Sequence, residues 1–171
     1  MVPASHFPVV VPPTFLNVTA ISAQNGQSVL ECWQILPGFS NSSQSGTVGP
    51  SILRLGNVAN MSYSVIPPGF NGGLNNAPTT QWVALLSGLG HVTLPDSSDE
   101  AYFGKGDFLF AADTAAVSIK GHLTNFPSQF ETAILQIPTG GTIPQHSVLY
   151  SGPCKTHHQP AKRVGSLNDL D

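Results

Sequence analysis

The sequence predicts an all-β fold of many short strands, and three observations predict it. Gly and Pro, 17 and 15 residues, approach a fifth of the chain, which suits tight turns better than a helical bundle. Several short runs alternate apolar and polar residues with the period of a half-buried strand. Turn signals separate these runs at spacings of about 8–12 residues, the pattern of a sandwich, jelly roll or barrel. No amphipathic helical pattern and no internal repeat accompanies them. Charged residues are 9 % of the chain, against about 25 % in ordinary domains. Hydrophobic residues are 40 %, so low charge does not mean disorder here.

Residues 1–14 are Pro-rich and read as an extended N-terminal arm. The domain proper is expected over 15–154, with a loosely held tail from 155 to 171. "FLNVTAIS" and "SVLECWQIL" flank Asn25-Gly26, and Asn-Gly between alternating runs is the strongest short-range hairpin signal. Residues 37–50 read as a polar loop. "ILRL" and "NMSYSVI" read as strands and "PPGFNGGLNNAP" as a loop. "QWVALLS" is a buried strand, with Gly88 and Gly90 turning the chain into "HVTL". A polar hairpin tip at Asp96–Glu100 follows. "AYFGKGD" leads into "FLFAADT", then "AAVSIKGHLTN" and "ETAILQI".

The net charge of −3 and only six Lys and Arg exclude the broad basic face that phosphate backbones demand. No nucleic-acid partner is expected. No run of about 18 apolar residues is present, so no membrane span is expected, and the N-terminus lacks the pattern of an intact signal peptide. Sequons occur at Asn17, Asn41 and Asn60, whose alternative reading is chance. Cys32 and Cys154 form either one disulfide or two free thiols. Together these features favour the secretory pathway or the extracellular space over the cytoplasm.

Two stretches carry a family pattern. The first is "PPG" at 67–69 with "NNAPTTQWVALLSG" at 75–88; the second is "FGKGDFLFAADT" at 103–114 with "KGH" at 120–122. In this order, over roughly residues 53–137, they resemble the two motifs of small single-domain cupins. The resemblance implies a double-stranded β-helix, a jelly-roll barrel with little helix, and pairing into a homodimer through edge strands, with the N-terminal arm free to cross to the partner. It also locates the family's metal ligands. The acidic position falls on Gln81, the His-x-His positions on Asn75 and Ala77, and the second-motif histidine on His122. The segment from Asp113 to His122 is longer than the family's usual spacing. Only His122 is an imidazole, and one imidazole with neutral amides is a poor transition-metal set. No metal and no cofactor are therefore expected. His91 and His146 would contribute ligands only in a different register, and His157-His158 lie in the tail.

Without a metal, the barrel interior is a concave apolar pocket with a few polar groups, the usual form of a small-molecule site. His122 is the candidate proton shuttle, and Gln81 joins it as a catalytic candidate through hydrogen bonds to a substrate carbonyl. Asn75 is a substrate-binding candidate. Trp33, Tyr63 and Trp82 are aromatic substrate-binding candidates, each with packing as its competing role; Trp82 follows Gln81 and points to the opposite face. Asp113 suits either orienting a base or capping a turn. The plain alternative for His122 is a neutral histidine hydrogen-bonded in the barrel. No nucleophile elbow, phosphate loop or zinc-protease helix is present. The expected function is a metal-independent enzyme of isomerase, cyclase, dehydratase or decarboxylase type, acting on a small apolar molecule of secondary metabolism. The alternatives are a metal-dependent cupin dioxygenase and a non-catalytic extracellular ligand-binding protein.

Overall fold

The computed structural model describes residues 14–155; the N-terminal arm up to residue 13 and the tail from residue 156, with His157 and His158, lie outside the described residues. The fold is all-β, with no helix among those residues. β1 (Leu16–Gln24) and β2 (Gln27–Ile35) form the expected hairpin, paired from Leu16–Ile35 to Gln24–Gln27. Asn25 and Gly26 have φ of 51° and 78°, the two left-handed residues that match the twist of the flanking strands. Short β3 (Ser40–Asn41) and β4 (Ser51–Ile52) pair within the following loop.

Eight further strands form the centre of the molecule: β5 (Ser62–Ile66), β6 (Phe70–Asn75), β7 (Gln81–Leu85), β8 (Leu89–Thr93), β9 (Glu100–Gly104), β10 (Phe108–Ala111), β11 (His122–Phe126) and β12 (Thr132–Pro138). Their antiparallel pairs are nested: β5 with β12, β6 with β11, β7 with β10, β8 with β9. This is one long hairpin folded over on itself. It yields two facing sheets, β10-β7-β12-β5 and β6-β11-β8-β9, in a jelly-roll-like arrangement. The first sheet is extended to seven strands because β1 pairs in parallel with β10, bringing β2 and then β13 (His146–Ser151) with it. The two sheets remain separate in their hydrogen bonding, so the expected barrel is a sandwich and not a closed cylinder.

Strand alternation splits the apolar residues into two layers. Ile21, Leu30, Leu85, Leu109 and Ile134 of the large sheet meet Val92, Ala101 and Phe103 of the small one between the sheets. Val18, Trp33, Trp82 and Phe110 project from the other face of the large sheet, under Leu53 and Leu55 of the 37–59 connection. The end of that connection, through Leu53 and Leu55, therefore covers a second core. Its need to lie across the sheet explains why most of "ILRL" is not strand.

Four other features differ from the sequence reading. "PPGFNGGLNNAP" contains β6, because Gly72 lets this edge strand approach β11 closely: a Cβ there would stand 2.9 Å from the Thr124 carbonyl oxygen. Residues 115–121 are turn and only the last part of "AAVSIKGHLTN" is strand. The Gly/Pro-rich region after Pro138 still contributes β13, an exposed edge strand whose pairing to β2 is irregular between Val148 and Tyr150. Gly90 lies inside β8, whereas Gly88 makes the turn. At Gly88 φ is +77° and a Cβ would meet Thr132 Oγ1 at 2.1 Å. Asp107 holds its turn as expected, accepting a hydrogen bond from the Gly104 N–H at 2.6 Å.

Cys32 and Cys154 are joined by a disulfide with Cα atoms 4.6 Å apart. Among the sequons, Asn41 and Asn60 are exposed. Asn17 lies half-buried in β1, and the hydroxyl of its fully buried Thr19 accepts a hydrogen bond from the Cys154 N–H.

Candidate functional site

A cavity of about 430 Å³ lies between the two sheets, within the range of small-molecule sites. Its polarity follows from the register. On β6, β7 and β11 the inward polar residue stands at one end and the inward apolar residue at the other. Asn75, Gln81 and His122 line one end of the cavity, while Phe70, Leu85 and Phe126 line the other. The pairings His122–Asn75 and Phe126–Phe70 fix the direction of β6 against β11. The cavity reaches exposed residues on edge strand β6, Asn75 and Phe70, and opens along it.

His122 begins β11 and is buried. Its Nδ1 lies 2.7 Å from Oδ2 of Asp113, which is fully buried. A carboxylate only accepts, so Nδ1–H donates, and in the neutral tautomer that matches this bond Nε2 is the acceptor. Asp113 is outside the lining and His122 is in it, so Nε2 is the nitrogen left for a molecule in the cavity.

The same Oδ2 accepts from the Ser28 hydroxyl at 2.6 Å, and Ser28 Oγ lies 2.8 Å from Ser118 Oγ. Ser28 has one proton and spends it on Asp113, so Ser118 donates to Ser28. Ser118 Oγ in turn accepts from the Gly121 N–H at 3.0 Å. The Asn76 amide donates to the carbonyls of Asp113 and Ser118 at 3.1 and 3.0 Å, closing the 113–121 turn. Asp113 Oδ1 makes no hydrogen bond among the described residues. Gly121, with φ of +77°, lies so close to β6 that a Cβ would fall 2.1 Å from the Asn75 carbonyl oxygen. Only glycine allows His122 to start its strand beside Asn75.

The sequence candidates divide cleanly. His122, Gln81 and Asn75 are brought to one end of one cavity. Trp33 and Trp82 are not in its lining; both pack in the outer layer, Trp82 stacked on Phe108 and edge-on to Phe110, Trp33 stacked on His146. Tyr63 is exposed on β5 beside a separate shallow hollow near Phe130. The structure thus places none of these three substrate-binding candidates in the lining of this cavity. The physical reason is alternation: each stands one residue out of phase with an inward neighbour on its strand. Asp113 is the hydrogen-bond partner of the His122 ring. Sequence reasoning missed Ser28, Asn76 and Ser118, whose roles arise from contacts 37–90 residues away in the chain.

A three-imidazole metal set does not fit these residues. The lining holds one imidazole, His122, and its Nδ1 is engaged by Asp113. Among the described residues no three His, Cys, Asp or Glu side chains are grouped to hold an ion. A changed register does not help. His91 stacks on Tyr102 and lies 2.8 Å from Glu100, outside the lining, and His146 bonds the Pro144 carbonyl. No family model and no curated protein matches this chain.

Proposed function

We propose that the chain is an enzyme that moves a proton on a small apolar organic molecule without a metal, in an isomerisation, dehydration, decarboxylation or cyclisation. One observation carries this reading: a buried Asp113–His122 pair at the polar end of a mostly apolar cavity. In this scheme Nε2 accepts a proton from the substrate, the carboxylate stabilises the imidazolium that forms, and Gln81 and Asn75 hydrogen-bond a carbonyl or hydroxyl oxygen. The imidazolium then returns the proton elsewhere on the same molecule. Apolar walls exclude water and hold a flexible molecule in a reactive conformer. The resemblance to small cupins supports the reading by analogy, with the amides standing where that family keeps ligands.

The test follows proton and metal together. Turnover in heavy water is expected to leave deuterium at one substrate carbon, at a rate unchanged by dialysis against chelator. A rate that collapses on chelation and returns with iron or manganese would instead favour the dioxygenase alternative. The disulfide favours a second reading, an extracellular protein that binds the same ligands without converting them, since such bonds persist in oxidising compartments. Binding with no product over long incubation would establish it. On either reading we infer a place in the secretory pathway or outside the cell. We also infer a homodimer: edge strand β5 exposes Tyr63 and Val65, and exposed edges call for cover. Light scattering is expected to give twice the chain mass; a monomer mass rejects the pairing.

A further inference from the structure

The cavity also constrains the charge and shape of what enters it. No Lys, Arg, Asp or Glu contributes to its lining among the described residues; its only titratable side chain is His122. A ligand carboxylate or phosphate would be buried with no cation to meet it, which is costly. An ammonium fares no better, because the cavity wall offers it only neutral acceptors, Asp113 lying outside the lining behind the histidine. The polar groups inside are otherwise amides and hydroxyls. Ser64 and Gln136 form one wall together, the Ser64 hydroxyl donating to the Gln136 carbonyl oxygen at 3.3 Å.

Shape follows from strand length. His122 and Phe126 stand four residues apart on β11, as do Gln81 and Leu85 on β7, and that spacing is about 13 Å of strand. A volume of about 430 Å³ holds roughly fourteen non-hydrogen atoms at about 30 Å³ each.

We infer that the ligand is an uncharged, lipophilic molecule of medium length with an oxygen-bearing head, bound head toward His122, Gln81 and Asn75 and hydrocarbon toward Phe126, Leu85 and Gly90. This rests on the reading of the cavity as the functional site, but it concerns binding and stands or falls separately from turnover. Free fatty acids, sugar phosphates and amines are excluded as substrates, and decarboxylation thereby drops out of the four reactions proposed above. The reaction that supplies this molecule must therefore have removed or masked any carboxylate, as reduction, esterification or decarboxylation does.

Gly90 provides the means of testing the orientation. Its backbone is not left-handed, and a Cβ would contact Leu85 and Phe126 at 3.5 and 3.8 Å, ordinary packing distances, at the apolar end. Gly90→Val thus fills that end and leaves the polar end untouched. The experiment uses the full chain with Nile red, an uncharged dye, as the displaced probe, and decanone, decanoate and hexanone as competitors at mildly alkaline pH. Decanone is expected to displace the dye at least about tenfold more effectively than decanoate. In Gly90→Val, decanone is expected to weaken about tenfold or more while hexanone is unchanged. Decanoate competing as well as decanone overturns the inference on charge. Equal loss for both ketones, in a variant with wild-type circular dichroism, overturns the orientation. Decanone failing to displace the dye from the wild type overturns the ligand class. If the ketones bind as expected while no neutral candidate is ever converted, the inference holds and the enzymatic reading fails.

Discussion

His122→Asn is expected to lower turnover by about a hundredfold to ten-thousandfold while leaving ligand affinity within about threefold of the parent. The substitution is chosen for its geometry. An asparagine amide places an N–H close to where Nδ1 stands, so Asp113, fully buried, keeps a donor besides Ser28. Nothing then reaches the cavity as a base. His122→Ala is less informative, because it strips a buried carboxylate of one of its two hydrogen bonds and destabilises the fold as well.

Asp113→Asn makes the companion measurement. Ser28 and His122 both bond the same carboxylate oxygen, Oδ2, and Oδ1 is unpartnered. The amide can therefore keep its carbonyl oxygen at the shared position, preserving both hydrogen bonds and the histidine tautomer. What is lost is the negative charge. The expected result is a fall in kcat of roughly tenfold to a hundredfold with KM little changed, since the charge matters only once the imidazolium forms. A purely structural histidine predicts the reverse pattern: lower stability in both variants and no selective effect on kcat. If both variants turn over the true substrate at the parental rate, the Asp113–His122 pair is not the catalytic centre.

Much of the fold was legible in the sequence because its determinants are local. Asn25-Gly26 dictates a hairpin through the φ of two residues, and Gly104 to Asp107 dictates a turn through one side-chain hydrogen bond. β7 and β12 announce themselves by composition. β6 and β13 do not, because both are exposed edge strands. Neither buries a face that would impose alternation, and β6 carries two glycines that read as loop. The cover over the outer core was hidden for a related reason: residues 53–55 lie across a sheet without joining it, which leaves no periodic trace.

The site was legible to the same extent. Motif order placed His122, Gln81 and Asn75 together, and register delivers them to one end of one cavity. Strand alternation turns Trp82 away from Gln81, and on β2 it turns Trp33 to the outer face in the same way. The support behind His122 was invisible because it is assembled from three separate regions. Ser28 comes from the first hairpin, Asp113 and Ser118 from the long turn, and Asn76 from the connection after β6. The length of the Asp113–His122 segment was the one signal available. It lets the chain double back so that Asp113 meets the ring of His122.

Removing the disulfide with Cys32→Ala and Cys154→Ala together is expected to lower stability by about 4–5 kcal/mol as an upper figure, because the bond closes a loop of 122 residues in the unfolded chain. Against the 5–15 kcal/mol typical of a whole domain, that is a large fraction, and it appears as a shifted denaturant midpoint. The loss is also expected to be uneven. Cys154 follows β13, which joins the large sheet only through β2, and the Cys154 N–H is tied to Thr19 on β1. The nested strands β5 to β12 are held by their own pairings. Hydrogen exchange in the double variant should therefore accelerate first in β13 and the outer half of β2, with β7, β11 and β12 slowest, and decanone binding should persist below the midpoint. Ser28 lies at the opposite end of β2 from the β13 pairing, which begins at Glu31, so the support for Asp113 remains while β13 frays. Uniform acceleration across both sheets would mean that β13 and the disulfide hold the sandwich itself together, and that the first hairpin is part of its cooperative core.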